Sequence, residues 1–282
     1  MNLCLSMWSF HRRFFQGEMS VIEFLGESSA RGIRVVELLD VFWRDKASEL
    51  PQVQHRLAEL GLKVGAYAVS NDFAAPDAQA RRQALQAVLD GIETAQALKA
   101  PVVRVFSGDL KAGIEFATAF AWVVEGLREA AGVAERCGIR LALENHGLLA
   151  GQAEQVRQIL EAVASPALGS TFDCGNFLLV GQSPYSAWEA LAPYVVHVHV
   201  KDVREVTDGQ GWPGLDGRRY IGTACGEGQV PLKELLHEKA RAGYRGAVSL
   251  EYEGPGDEGA GVDQSVAYLR SACGWPSGGF AV

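Results

Sequence analysis

A single-domain α/β protein built as a (β/α)8 barrel is the fold this sequence predicts, and three observations predict it. Eight short apolar or alternating runs recur along the 282 residues, with segments of helical period between them. A Gly-apolar-basic pattern repeatedly joins a helical segment to the next strand. The turn after the first strand, Trp8-Ser9-Phe10-His11, lacks the glycines that a doubly wound open sheet needs to cradle a phosphate.

The strands follow in order. The first is Leu3-Cys4-Leu5-Ser6-Met7-Trp8, then Arg34-Val35-Val36-Glu37-Leu38-Leu39 and Lys63-Val64-Gly65-Ala66-Tyr67-Ala68-Val69. Pro101-Val102-Val103-Arg104-Val105-Phe106 and Arg140-Leu141-Ala142-Leu143-Glu144 are the fourth and fifth. Leu168-Gly169-Ser170-Thr171-Phe172-Asp173 is the sixth, Val195 to Asp202 the seventh, and Gly246-Ala247-Val248-Ser249-Leu250-Glu251 the eighth. Parallel strands of a barrel are covered by helices, and closing the sheet leaves no edge exposed.

Between the strands, Leu85, Val88, Leu89, Ile92 and Leu98 fall on one helical face. Phe116, Phe120, Val123, Val124, Leu127 and Ala134 form another. Val156, Ile159, Leu160 and Val163 repeat the pattern, as do Leu232, Leu235 and Leu236. Pro76-Asp77 is a helix start signal. Gly32, Gly61, Gly138 and Gly243, each followed by an apolar and then a basic residue, predict left-handed helix ends. Val203 to Gly228, rich in Gly and Asp, reads as loop. The barrel is expected over 1–273, with a loosely ordered tail over 274–282.

The formal charge of −8 argues against binding a phosphate backbone, so no nucleic-acid partner is expected. No basic n-region precedes the first strand and no apolar run is long enough to span a bilayer, which predicts neither secretion nor a membrane partner. Five scattered cysteines, odd in number and without CxxC pairing, read as reduced thiols of a cytoplasmic protein. A homodimer is the commonest closed assembly should the chain associate.

The chemistry concentrates in His197-Val198-His199-Val200-Lys201-Asp202. Alternation sends His197, His199 and Lys201 to one face and Val196, Val198 and Val200 to the other. Catalytic groups of a barrel sit at the carboxyl ends of its strands. The last four strands end in Glu144-Asn145-His146, Asp173-Cys174-Gly175-Asn176, His199 to Asp202, and Glu251-Tyr252-Glu253. Any one of these acids alone could be a rim residue held by an arginine. Three carboxylates brought together need a cation among them, and oxygen donors with one imidazole suit Mn²⁺ or Mg²⁺, with Co²⁺ or Zn²⁺ as alternatives.

These segments, with Gly226-Glu227-Gly228 and Ser249-Leu250-Glu251-Tyr252, resemble the xylose isomerase-like TIM barrel superfamily of sugar phosphate isomerases and epimerases. The resemblance spans nearly the whole chain. It implies one divalent metal held by Glu144, Asp173, His199 and Glu251, with Glu144 and Glu251 as the acid/base pair. It also implies a sugar or sugar phosphate substrate that loses a proton beside its carbonyl, through a metal-stabilised enediolate. Asn176 stands where many epimerases of the family carry a histidine. Asn176, His146, Lys201, Trp8 and His197 are candidate substrate contacts, although His197 could equally be core or metal support. Two alternatives stand beside isomerisation: a dehydratase acting on a keto-inositol or a dehydroshikimate-like acid, and a non-catalytic metal- or sugar-binding barrel. The nuclease branch of the superfamily uses extra histidines at the third and fourth strand ends. Those ends here are Tyr67-Ala68-Val69 and Phe106-Ser107-Gly108, so nuclease activity is not expected.

Overall fold

A computed structural model describes residues 1–274, and the expected tail from 275 on lies outside the described residues. The first seven barrel strands are β1 (Asn2–Ser6), β2 (Val35–Leu39), β3 (Lys63–Ala68), β4 (Val102–Val105), β5 (Arg140–Glu144), β6 (Leu168–Asp173) and β7 (Val195–Val200). Three further strands, β8 (Asp202–Val206), β9 (Trp212–Pro213) and β10 (Arg219–Thr223), form a small antiparallel sheet of their own. The eighth barrel strand, β11 (Ala247–Leu250), pairs in parallel with both β7 and β1 and closes the ring. The fold is a single-domain TIM barrel. No described helix is long and apolar enough to cross a membrane.

Local chemistry fixes the joints. Asp77 accepts from the backbone N–H groups of Gln79 and Ala80 and starts the helix Ala78–Leu98. Gly61 and Gly138, at φ of +63° and +67°, end the helices Lys46–Leu60 and Phe116–Cys137. In each case the next residue closes the motif, Leu62 N–H donating to Leu57 O and Ile139 N–H to Ala134 O, both at 2.9 Å. Gly32 and Gly243 stand at the same kind of joint. Lys99 and Ala164 do too, at φ of +57° and +54°, without being glycine.

The loop expected over Val203 to Gly228 is corrected: it carries β8 and β10 in antiparallel register, Asp202 opposite Thr223 through Val206 opposite Arg219. Asp202 anchors this excursion. Its carboxylate accepts from the backbone N–H groups of Val203, Gly226, Gly228 and Val230. A Cβ at Gly228 would stand 2.1 Å from Asp202 Oδ1, so the Gly226-Glu227-Gly228 turn wraps directly around that side chain.

Val198 and Val200 face the helix layer as alternation demands, but Val196 does not. The β6–β7 register shifts so that Ser170 opposes Val195 and Thr171 opposes His197, leaving Val196 as the extra residue. It packs instead with Ala66, Val102 and Ala142, a cluster apart from the main core. The five cysteines are all free, three of them buried.

Candidate metal centre

Four strand ends converge inside the carboxyl mouth of the barrel. One ligand atom from each of Glu144, Asp173, His199 and Glu251 lies within 4.8 Å of all the others, and all four side chains are buried. His199 Nδ1 stands 3.4 Å from Glu251 Oε2, 3.5 Å from Glu144 Oε2 and 3.9 Å from Asp173 Oδ2. Donors about 2.1 Å from a common cation would be spaced by roughly 3.0–3.4 Å, so two of these separations sit close to the expected range.

The hydrogen-bond arrangement points the same way. His199 Nδ1, Glu144 Oε2 and Asp173 Oδ2 are buried without a hydrogen-bond partner, while the other atoms of the same groups are engaged. Asp173 Oδ1 accepts from the backbone N–H groups of Gly175 and Asn176, each at 2.8 Å. Glu144 Oε1 accepts from Asn176 Nδ2, and Glu251 Oε1 from Ser6 Oγ. Buried polar atoms left orphaned at one point are costly unless a ligand satisfies them. The residues fit a divalent cation.

Neighbouring strands hold these donors in place. Asn145 clamps β5 to β6, its Oδ1 accepting from Asp173 N–H and its Nδ2 donating to Asp173 O. Arg104 on β4 points inward. Its Nε lies 3.1 Å from Glu144 Oε2, out of line for a hydrogen bond, and its guanidinium lies over the Phe106 ring. Glu37 supports the imidazole from below. Fully buried on β2, it places both oxygens 3.1 Å from His199 Nε2 and one 3.2 Å from His197 Nε2. An ionised carboxylate only accepts, so Nε2 of His199 carries the proton and Nδ1 is the face turned toward the other donors.

Charge in the cluster is finely opposed. Burial raises the proton affinity of Glu37, but His199 and His197 outweigh it and hold the carboxyl well below its usual range. Burial likewise works against the charge on Glu144, and His199 and Arg104 overcome it. Asp173 goes the other way, pushed up to about 6 chiefly by burial, which the repulsion of Glu144 and Glu251 reinforces and Lys201 opposes. Burial disfavours the Lys201 ammonium, yet Asp173, Glu253 and Glu251 hold its proton well above the ordinary lysine value. Its Nζ lies 3.2 Å from Asn176 Oδ1 and 3.5 Å from both Asp173 and Glu253.

A cleft of about 660 Å³ opens above these groups. Trp8, His146, Asn176 and Lys201 line it, together with Trp212 of β9 and Leu215 of the turn between β9 and β10, which the sequence did not place there. Trp8 Nε1 donates to Glu253, and His146 leans against Phe106. His197 is absent from this cleft; it lies below Glu37, on the far side of His199. Arg218 is exposed beside Glu205 and Asp216, away from the site as a solvated side chain would be. Glu37 is the residue that sequence reasoning missed. Its signal was a lone charge within the apolar run Val-Val-Glu-Leu-Leu, where burial demands a partner.

Fold and site together define a parallel-barrel protein with a buried, cation-competent cluster at the carboxyl mouth. The chain belongs to the xylose isomerase-like TIM barrel family, whose model matches residues 25–272. Among curated relatives, it is 31% identical to a 3-oxo-isoapionate decarboxylase of Pectobacterium atrosepticum, over 39% of this chain and 38% of that protein. It is 26% identical to an inosose dehydratase of Geobacillus kaustophilus, over 46% and 44% of the two chains. The chain thus matches less than half the length of either. Among solved structures, a D-tagatose 3-epimerase-like protein superposes with a TM-score of 0.78 at 19% identity, covering 97% of both chains. The IOLI protein with a bound zinc atom gives 0.77 at 18%, over 96% and 98%. A xylose isomerase-like barrel of Mycobacterium smegmatis in complex with magnesium gives 0.76 at 16%, over 96% of each chain. Those likenesses show the fold.

Proposed function

We propose that this protein is a divalent-metal-dependent isomerase or epimerase of a small sugar or sugar phosphate, working by proton abstraction beside a carbonyl. The observation that carries the reading is the convergence of three orphaned donor atoms with Glu251 at one buried point beneath an open cleft. A bound Mn²⁺ or Mg²⁺ would polarise the substrate carbonyl and make the neighbouring C–H more acidic.

The chain's own residues do the rest. Glu144 on β5 and Glu251 just past β11 stand three strands apart around the ring, so they approach a substrate from different sides. Glu144, kept ionised by His199 and Arg104, is the acceptor for the departing proton. Glu251, entering the step in its protonated form, donates that proton from the other side, which inverts the carbon, and proton exchange with solvent then resets both glutamates. Lys201, held as an ammonium, balances the negative charge that develops on the substrate oxygens. Asn176 can hydrogen-bond a substrate hydroxyl but carries no proton at neutral pH. Trp8 and Trp212 offer apolar walls.

A dehydratase is the second reading, favoured by Lys201 and by the relatives named inosose dehydratase. An ammonium inside the cleft can protonate a departing β-hydroxyl after the same first proton loss. One experiment separates the two: Mn²⁺-loaded protein with a panel of sugars and keto-inositols in deuterated water. Deuterium entering the carbon beside the carbonyl without new ultraviolet absorbance supports epimerisation or isomerisation. A growing conjugated-enone band supports dehydration. If neither occurs with any compound, the catalytic reading fails and a binding barrel remains. Full exchange by Glu251→Gln would sink the two-base version.

A further inference from the structure

The opposite mouth of the barrel holds a second cavity, of about 990 Å³, that the proposed chemistry does not use. Its inner end meets the lowest layer of the barrel interior. Barrels ordinarily fill that layer with bulky branched side chains. Here β3 contributes Gly65 and β11 contributes Ala247, beside Val35, Val102 and Val196. A Cβ added at Gly65 would stand 2.7 Å from Val35 Cγ1 and 3.1 Å from the Ala247 Cβ, so the glycine faces this interior. The cavity continues outward between the helices Lys46–Leu60 and Ala78–Leu98, against Leu57, Leu62 and Leu98.

Its charges are one-sided. Lys63, Lys99 and Arg140 line the cavity and no carboxylate does, in a chain with a net charge of −8. These cations belong to the helix-to-strand joints, where the repeated basic residue has no part in the carboxyl-end site. Two others from such joints are committed locally: Arg34 donates to Leu60 O, and Arg245 to Ala240 O and Tyr244 O. Lys63, Lys99 and Arg140 have no ionic partner among the described residues, and all three are exposed at the rim. The inner wall carries His197, almost fully buried, and Tyr244.

We propose that this amino-terminal cavity is a binding site for a small amphipathic organic anion, its carboxylate or phosphate held by Lys63, Lys99 and Arg140 and its apolar body lying inward. The volume is that of a typical small-molecule site. The apolar walls supply burial and the rim supplies charge complementarity, so neither an inorganic anion nor a neutral chain satisfies both halves.

The test uses calorimetric titration of the full, Mn²⁺-loaded chain with decanoate, decanol and inorganic phosphate. Decanoate is expected to bind once per chain, with a Kd below about 1 mM and at least about tenfold more tightly than decanol or phosphate. The double variant Lys63→Glu/Lys99→Glu alters two exposed side chains and should weaken decanoate by about tenfold or more. Ala97→Trp, which fills the cavity from the second helix, should do the same, with circular dichroism and Mn²⁺ stoichiometry unchanged. Absence of decanoate binding overturns the proposal. So does binding that the charge-reversal variant leaves intact, because the anion would then sit elsewhere, on the metal for instance. Equal affinity for decanol would overturn the anionic part.

Discussion

Both carboxylate oxygens of Glu37 lie 3.1 Å from Nε2 of His199, and this contact turns Nδ1 of the same ring toward Glu144, Asp173 and Glu251. Orientation and tautomer of a candidate cation ligand are thereby set by a strand on the other side of the barrel. Glu37→Gln keeps the volume but removes the charge that fixes the Nε2 proton. Mn²⁺ affinity should fall by about 10- to 100-fold with the fold intact. Titration followed by electron paramagnetic resonance of free Mn²⁺ measures this, and an unchanged affinity would show that the ring needs no such support.

Cation binding should also release a proton. In the metal-free protein burial disfavours the charged His199 ring, but Glu251, Glu37 and Glu144 outweigh it and raise its pKa well above the ordinary histidine value. A cation needs the Nδ1 lone pair, so the proton there must leave. Affinity for Mn²⁺ should rise with pH, by about tenfold per unit while the free site stays protonated. Calorimetry in two buffers of different ionisation enthalpy should report about one proton released per ion.

Lys239 should make the fold more stable when replaced. Its ammonium is fully buried, 3.7 Å from the centre of the Phe172 ring and 3.9 Å from that of Trp188, with no hydrogen-bond partner. Burial pushes its pKa down to about 8. The unfolded chain therefore holds this proton up to a higher pH than the folded one. The group's cost is complete below pH 8 and fades as pH rises toward the ordinary lysine value. The two aromatic faces offset part of that cost. Lys239→Met should add about 2 kcal/mol at pH 7 and much less at pH 10. Urea melts of both proteins at both pH values check the difference.

A smaller gain is expected at Ala164, which ends the helix Ala153–Val163 at φ +54°. A residue with a Cβ costs about 1–2 kcal/mol in that conformation, partly recovered through the stiffer unfolded chain. Ala164→Gly should stabilise by about 0.5–1 kcal/mol, a rise of roughly 2 °C in Tm. A lower Tm would count against the strain.

The sequence carries the barrel and its four convergent donors because both follow from simple periodicities. Alternation and helical period mark the elements, and the ends of β5, β6, β7 and β11 are where a barrel gathers side chains. Three things escaped that logic. Glu37 sits mid-strand, and its partners are 160 and 162 residues away. Val196 breaks its own alternation through a register shift that depends on β6, not on β7 alone. The strands β8 to β10 are short and bounded by Gly and Asp, so turn signals swamp them; only their pairing, fastened at Asp202, makes them strands.

That fastening has a consequence for how such a protein can diversify. The small sheet departs one residue after Lys201, returns at Gly226 and Gly228 to the same Asp202 carboxylate, and sends Trp212 and Leu215 over the cleft. Asp202 is its central clasp, with Leu215 N–H donating to Leu179 O and Cys225 N–H to Ser265 Oγ as further ties. Substitutions within the small sheet would reshape the cleft above the candidate donors while leaving the strands that carry those donors untouched.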